Sequence, residues 1–417
     1  MKEKWKYDVS HIKTLDGIRA LAILILAWFH IWQWSWLQPI KDVPALSIIN
    51  QTQLNFDWIV RYGSQMVDVM LLISGFCLFL PYAKNMVLGS PEPDIKTFYK
   101  KRVARIFPSY YFAVFFSFIV AVITKGYASS SDMWNDLLPH LFFVHTYNRI
   151  SYMSPQIMGV LWTLAIEVQF YVIFPFVAKI FRKWTWQTYL GMVAISWIFD
   201  NWIIIQRVPQ WDYSLWVNQL PAFLSVYANG MLAALIYVKF AQLFNGYLQG
   251  KEEEERKQTQ KYIGYFFTLV SVFCIYVYRI MMLDLGQEAD RLIGQINMRY
   301  EFSVLAAIFV IATGFMLPMF QKLLANKVMY FLSGISFQIY IWHQYLAWML
   351  KKYRIPYWEG EQDPNVLGDR VWMWKYFLLC WAAALVVAIL ATYLIEKPCS
   401  KWIQKKFIRK DRSGDSK

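Results

Sequence analysis

The sequence is poor in charge. Only 17% of its 417 residues are Asp, Glu, Lys or Arg, against 58% hydrophobic and 19% aromatic. A soluble chain of this length covers its surface with roughly a quarter charged residues. The deficit excludes a soluble globule and implies that most of the surface faces lipid. Cysteine is scarce too. Cys77, Cys274, Cys380 and Cys399 lie in or beside apolar runs without paired spacing, so no disulfide framework or zinc site follows. The first apolar run contains Arg19 and His30 and lacks an A-x-A-like exit, which excludes a cleaved signal peptide. No loop between apolar runs is long enough to be a soluble catalytic domain, and none is expected after the last run. Chemistry is therefore expected within the membrane.

What is abundant is apolar sequence in pieces close to the spanning length of about 20 residues. Such runs lie near 17–37, 58–82, 106–124, 158–181, 187–206, 215–238, 262–283, 300–320, 329–350 and 372–395. They predict an all-α, polytopic membrane protein of about ten transmembrane helices. Their even distribution points to one membrane domain over 1–400, followed by a basic tail, 401–417. The net charge of +14 raises nucleic acid as a partner, and its distribution removes it. Of 42 lysines and arginines, 29 fall in 1–19, 84–105, 179–183, 239–261, 322–327 and 397–417. That asymmetry places both termini in the cytoplasm by the positive-inside rule and reflects contact with anionic lipid. On the outer side, 125–157 reads as a short amphipathic element lying on the membrane or capping a vestibule. The charged run 251–257 reads as a solvated helix extension.

Ionisable side chains at bilayer depth are costly, so each is a candidate functional residue. Eleven residues separate Arg19 from His30, which puts both on one helix face about 16 Å apart along the axis. Read alone, Arg19 is equally an interfacial anchor pairing Asp16, and His30 equally a packing histidine. Glu167 has no basic residue within its own helix turn. His30 is its obvious partner, since a carboxylate beside an imidazole fixes its tautomer and stabilises the imidazolium. The bland alternative is a charge pair joining two helices. Asp68 has no local partner. Ser74-Gly75 reads as a place of close helix approach. Tyr340 and His343 lie one turn apart, where His343 either binds substrate or hydrogen-bonds within the bundle. Arg102 and Arg105 present two guanidinium forks on one helix face, suited to phosphate or simply part of the positive-inside charge. No set of metal ligands is apparent.

Taken together these segments resemble the type-3 membrane acyltransferases. The resemblance is carried by Leu15-Asp16-Gly17-Ile18-Arg19 with His30, Val67-Asp68 leading to Ile73-Ser74-Gly75-Phe76, and Arg102-x-x-Arg105 with Pro108. It continues in Trp162-Thr163-Leu164-x-x-Glu167-x-x-Phe170-Tyr171 with Pro175, in Ser336-x-x-x-Tyr340-x-x-His343, and in Ile395-Glu396-Lys397-Pro398. They span nearly the whole chain in family order. The resemblance implies an O-acyltransferase of the bacterial cytoplasmic membrane. It implies acyl-coenzyme A, usually acetyl, as cytoplasmic co-substrate with no permanently bound cofactor, and a glycan, lipid or other hydroxyl acceptor on the outer side. It also implies His30 as catalytic base, Glu167 in support, and Arg19, Arg102 and Arg105 serving the donor. Asp68, Trp162, Tyr340 and His343 are the further residues expected to bind substrate or support the site.

The rival reading is a proton-coupled transporter or flippase of a lipid-linked sugar, which intramembrane His, Glu and Arg would also suit. Such folds often carry an internal repeat, and the first-half motifs have no counterparts in the second half. The His-x4-Asp pattern of soluble-type lipid acyltransferases is absent, because Ser35 and Trp348 stand where Asp would be. Outer tryptophans such as Trp134 and Trp211 suit an interfacial aromatic belt as well as sugar stacking.

Overall fold

The computed structural model describes residues 7–10, 12–44, 47, 52–286 and 291–407. Each predicted apolar run becomes a helix. They are α1 (Lys13–Ser35), α2 (Met66–Leu88), α3 (Ile95–Ile123), the short α4 (Ser130–Leu141), α5 (Trp162–Lys183) and α6 (Thr185–Ile198). Then follow α7 (Leu220–Leu248), α8 (Glu253–Leu285), α9 (Arg291–Phe315), α10 (Lys327–Lys352), α11 (Arg370–Ala391) and α12 (Lys397–Phe407). Two π-helical segments, Phe199–Ile204 and Thr392–Glu396, extend α6 and join α11 to α12. A two-stranded antiparallel ribbon, β1 (Ile40–Asp42) and β2 (Gln53–Asn55), follows α1.

Among the described residues, nine helices are long and apolar enough to cross a membrane. Helix α10 has 26 residues but carries Ser333, Ser336, Gln338, Tyr340, His343 and Gln344 along its length, which lowers its hydropathy. The chain is an all-α polytopic membrane protein. Helix edges differ from the hydropathic runs where charge begins. Helix α3 starts eleven residues before the expected 106, because Ile95–Arg105 is basic yet made of helix-forming residues. Helix α8 likewise begins at Glu253, and its first turns carry the ion pair Lys257–Glu253 at 2.8 Å. The last ten tail residues, 408–417, lie outside the described ones.

The chain folds as two compact units assembled from interleaved segments. The first is Met1–Leu21, Val67–Ile95 and Ile166–Ser333; the second is Ala22–Met66, Lys96–Ala165 and Gly334–Lys417. In the first unit α7 packs against α6 and α9, and α8 against α9. Helices α2 and α7 approach backbone to backbone, as Ser74-Gly75 suggested. A Cβ on Gly75 would lie 2.8 Å from the Tyr227 carbonyl oxygen, and one on Gly230 would overlap the carbonyl oxygen of Leu72. Glycine is required at such a crossing because any side chain forces the backbones apart. Helix α8 turns Tyr262, Phe266, Leu269 and Phe273 outward, an apolar face suited to lipid.

The second unit has a core of Ile31, Leu37, Ala347, Trp372, Met373, Tyr376 and Cys380, with the Tyr376 hydroxyl donating to the Ala347 carbonyl at 2.6 Å. Its connection between α3 and α5 is ordered by polar contacts. Ser129 caps α4 by accepting from the Asp132 amide. Asp136 receives Tyr127 Oη at 2.9 Å and the amides of Gln156 and Ile157 at 2.9 and 3.1 Å. The amphipathic element expected over 125–157 is therefore a short helix folded against its own loop, with Trp134 and Leu138 exposed.

Candidate active site

In the second unit, His30 of α1 and His343 of α10 face each other with ring centroids 5.1 Å apart. The Nδ1 atom of His30 contacts Gln33 Oε1 at 2.9 Å and Gln344 Nε2 at 3.1 Å. A proton on Nδ1 bonds to the Gln33 carbonyl oxygen and leaves the lone pair on Nε2, which has no hydrogen-bond partner among the described residues. That is the tautomer a general base requires. His343 is wholly buried, and its Nδ1 lies 2.9 and 2.8 Å from the Ile339 and Tyr340 carbonyls one turn back on its own helix. Those acceptors hold the proton on Nδ1, so His343 Nε2 carries a lone pair and has no partner. Gln33 and Gln344 were not singled out in the sequence. Their spacing from the two histidines, i+3 and i+1, shows only once α1 and α10 are adjacent.

Tyr340 plays a different part. Its hydroxyl accepts from Thr163 Oγ1 and donates to the Val160 carbonyl, both at 2.5 Å, so it ties α10 to the start of α5, where Trp162 sits as the first residue. Further along α10, Gln338 Nε2 donates to Ser109 Oγ at 2.6 Å and to Glu396 Oε2 at 2.8 Å, while its Oε1 accepts from Trp342 Nε1 at 3.3 Å. Arg105 and Lys397 supply positive charge around Glu396. Arg102 lies over the Phe98 ring at 5.5 Å. The basic motif of α3 is thus anchored to α10 and the end of α11 through a buried glutamine.

The first unit holds the other candidates. Arg19 pairs Asp16 at 3.7 Å and reaches Cys77 Sγ at 3.8 Å; all four cysteines are free. Glu167 accepts from Ser74 Oγ at 2.8 Å and from the Tyr171 hydroxyl. These are its partners within its unit, and the expected pairing with His30 passes to the proposal below. Asp68 does find a cation, supplied by α9. Arg299 lies 3.9 Å from Asp68 and 3.8 Å from Asp200, donates to the Val217 carbonyl at 3.3 Å, and covers the Phe223 ring at 4.2 Å. Arg299 and Asp200 were missed because each reads as a helix-end charge. Asp200 faces inward through the π-helical turn. Arg299 Nε and Asp200 Oδ1 are buried without hydrogen-bond partners.

Outside the spanning segments, His140 and His145 stack in parallel at 4.0 Å, both buried. Burial pushes the pKa of His140 down to about 4 and that of His145 well below the usual histidine value, the latter helped by His140. Burial raises Asp136, against the pull of its hydrogen bonds. No group of three or more His, Cys, Asp or Glu among the described residues is placed to hold a metal ion.

A family described as an acyltransferase domain matches residues 12–395. The chain belongs to that family. The match contains both histidines, the Arg102/Arg105 pair, Glu167 and Asp68, so the clusters described here lie within the acyltransferase domain. Relatives include the peptidoglycan O-acetyltransferase OatA of Listeria monocytogenes, 26% identical over 232 residues, 51% of this chain and 32% of the relative. Nodulation protein 10 of Rhizobium leguminosarum bv. viciae is 23% identical, covering 58% of this chain and 65% of the relative. The O-acetyltransferase OatA of Staphylococcus aureus is 21% identical over 84% of this chain and 53% of its own. The matches thus span from about a third to about two thirds of these relatives' lengths. No solved structure matches.

Proposed function

We propose that this protein is an integral membrane O-acetyltransferase that moves an acetyl group from acetyl-coenzyme A to a hydroxyl of a cell-envelope glycan. The family supports acyl transfer, and the names of two relatives specify O-acetylation. The observation that carries the reading is His30 itself, a partly exposed imidazole whose Nδ1 is held by two glutamine side chains and whose Nε2 is open. His30 Nε2 takes the proton of the acceptor hydroxyl as that oxygen attacks the thioester carbonyl carbon. The new C–O bond replaces the C–S bond, and the coenzyme leaves as a thiolate that takes up a proton. Glu167 offsets the imidazolium charge. Arg102 and Arg105 receive the donor's phosphates, and Arg19 contacts its pantetheine or phosphate end. His343 Nε2 accepts a hydrogen bond from substrate, while Tyr340, Trp162 and Asp68 support the surrounding helices. Both termini lie in the cytoplasm of a bacterial cell, so the donor enters from that side and the acceptor from the other.

Transfer from radiolabelled acetyl-coenzyme A by purified protein in nanodiscs tests this reading. General-base assistance is worth about 10² to 10⁴ in rate, so His30→Ala is expected to lose activity by that factor while melting like wild type. Wild-type turnover by a well-folded His30→Ala protein would sink the assignment. The buried Asp68–Arg299–Asp200 cluster is the feature a proton-coupled transporter would share. Wild-type protein that neither binds nor cleaves the thioester would favour that alternative.

A further inference from the structure

The first unit contains a cavity of about 440 Å³ at the start of α1. Its wall combines three aromatic rings, Tyr7, Tyr237 and Phe315, with the polar side chains of Thr14, Gln321 and Lys13. The rings are held in place. Tyr7 is clamped by Asn245, whose Oδ1 accepts from the Tyr7 amide at 2.8 Å and whose Nδ2 donates to the Tyr7 carbonyl at 3.1 Å. Tyr237 lies directly on Gly314, where a Cβ would overlap its ring, and its centroid is 4.8 Å from that of Phe315.

Two polar atoms here are unused. Thr14 is only 3% exposed, and its Oγ1 has no hydrogen-bond partner. Gln321 spends its amide nitrogen on the Gly314 and Met316 carbonyls at 3.1 and 3.0 Å, which leaves its carbonyl oxygen without a donor. A buried hydroxyl left unpaired costs free energy, so the wall is incomplete without a ligand that bonds to it. Aromatic faces with one donor–acceptor hydroxyl and one open carbonyl suit a flat heterocycle bearing an exocyclic amine. Base stacking on aromatic side chains and amide recognition of adenine are the general precedents. A lipid chain would choose differently. The wholly apolar groove of about 670 Å³ lined by Phe240, Phe244, Phe266 and Ile308 offers no such polar atoms.

We infer that the cavity at the start of α1 binds the adenine nucleotide end of the acyl-coenzyme A donor. This rests on the acyl-transfer reading above. The purine stacks on the ring wall, its amine donates to Gln321 Oε1, and a ring nitrogen accepts from Thr14 Oγ1. Lys13 at the rim faces the nucleotide phosphate.

The test compares acetyl-coenzyme A with acetyl-pantetheine, which lacks the nucleotide, using full-length protein in nanodiscs. Thr14→Val removes the hydroxyl and keeps the shape; Ala325→Trp fills the cavity, which Ala325 also lines. Both are expected to raise KM for acetyl-coenzyme A about tenfold, the scale of a lost hydrogen bond with part of a stacking face. KM for acetyl-pantetheine should not move. Equal changes for the two donors, or no change for either, overturn the inference, and Thr14→Val decides alone if Ala325→Trp does not fold. Equilibrium binding of adenosine 3′,5′-bisphosphate separates this from the enzymatic reading. Saturable binding by wild type that Ala325→Trp abolishes upholds the site even if no thioester is turned over. Absence of such binding overturns it.

Discussion

Two polar clusters sit among apolar helices in this protein, and they differ in what they leave unsatisfied. At His30 and His343, each Nδ1 is held by amide or carbonyl groups, each Nε2 keeps a lone pair, and His30 is partly exposed. At Asp68, Arg299 and Asp200, one guanidinium lies between two carboxylates, and all three side chains are buried. The first arrangement is poised to exchange a proton with a visiting molecule. The second neutralises charges that would otherwise be stranded, in the way a buried ion pair holds helices together. Location at bilayer depth does not by itself distinguish chemistry from architecture. The unfilled valence does.

That contrast is open to direct attack. The largest effect is expected from Arg299→Met, which strands two buried carboxylates. Removing one partner of a buried pair costs about 3–5 kcal/mol, so the variant should unfold far earlier in a detergent thermal melt. Arg299→Met with unchanged stability and lost turnover would move this cluster into the active site. Next comes acid. His140 and His145 are neutral in the fold, with pKa values depressed to about 4 and lower. As pH falls below the ordinary histidine value the unfolded segment binds protons and the folded one does not. Stability is therefore lost between about pH 6.5 and pH 4, by about 3 kcal/mol per histidine at full effect. Asp136, with its raised pKa, works in the opposite direction, but it is one group against two. Hydrogen exchange over 130–153 should accelerate across that window, and His140→Phe should flatten the dependence.

The smallest effect is expected at the glutamine that orients the base. Gln344→Leu leaves the His30–Gln33 contact but removes its second neighbour, and should lower kcat about tenfold with little change in KM. A shift of the activity pH profile would accompany it if Gln344 acts through the imidazole. A uniform loss of folded protein with no profile shift would make it a packing residue instead.

Much of this was readable before any helix was placed. The ten apolar runs each became a helix, and the ordered motifs led to the acyltransferase family. Gly75 was legible as a close approach, because a glycine beside serine in an apolar run has few other uses. Partnerships were not. Asp68 appeared alone because its cation is more than two hundred residues away, at the polar beginning of α9. Asp200 escaped notice because a π-turn, which periodicity does not register, rotates it inward. Tyr340 shared a turn with His343 and so seemed part of one site, yet its hydroxyl is spent on the backbone of Val160.

The α2–α7 crossing carries a lesson for protein engineering. With the Leu72 carbonyl occupying the space where Gly230 would carry a methyl, and Tyr227 doing the same to Gly75, neither helix tolerates a foreign partner. A chimera that grafts α2 from a relative must bring α7 with it. Acceptor preference is best exchanged between homologues by moving the loops and leaving this pair of helices together.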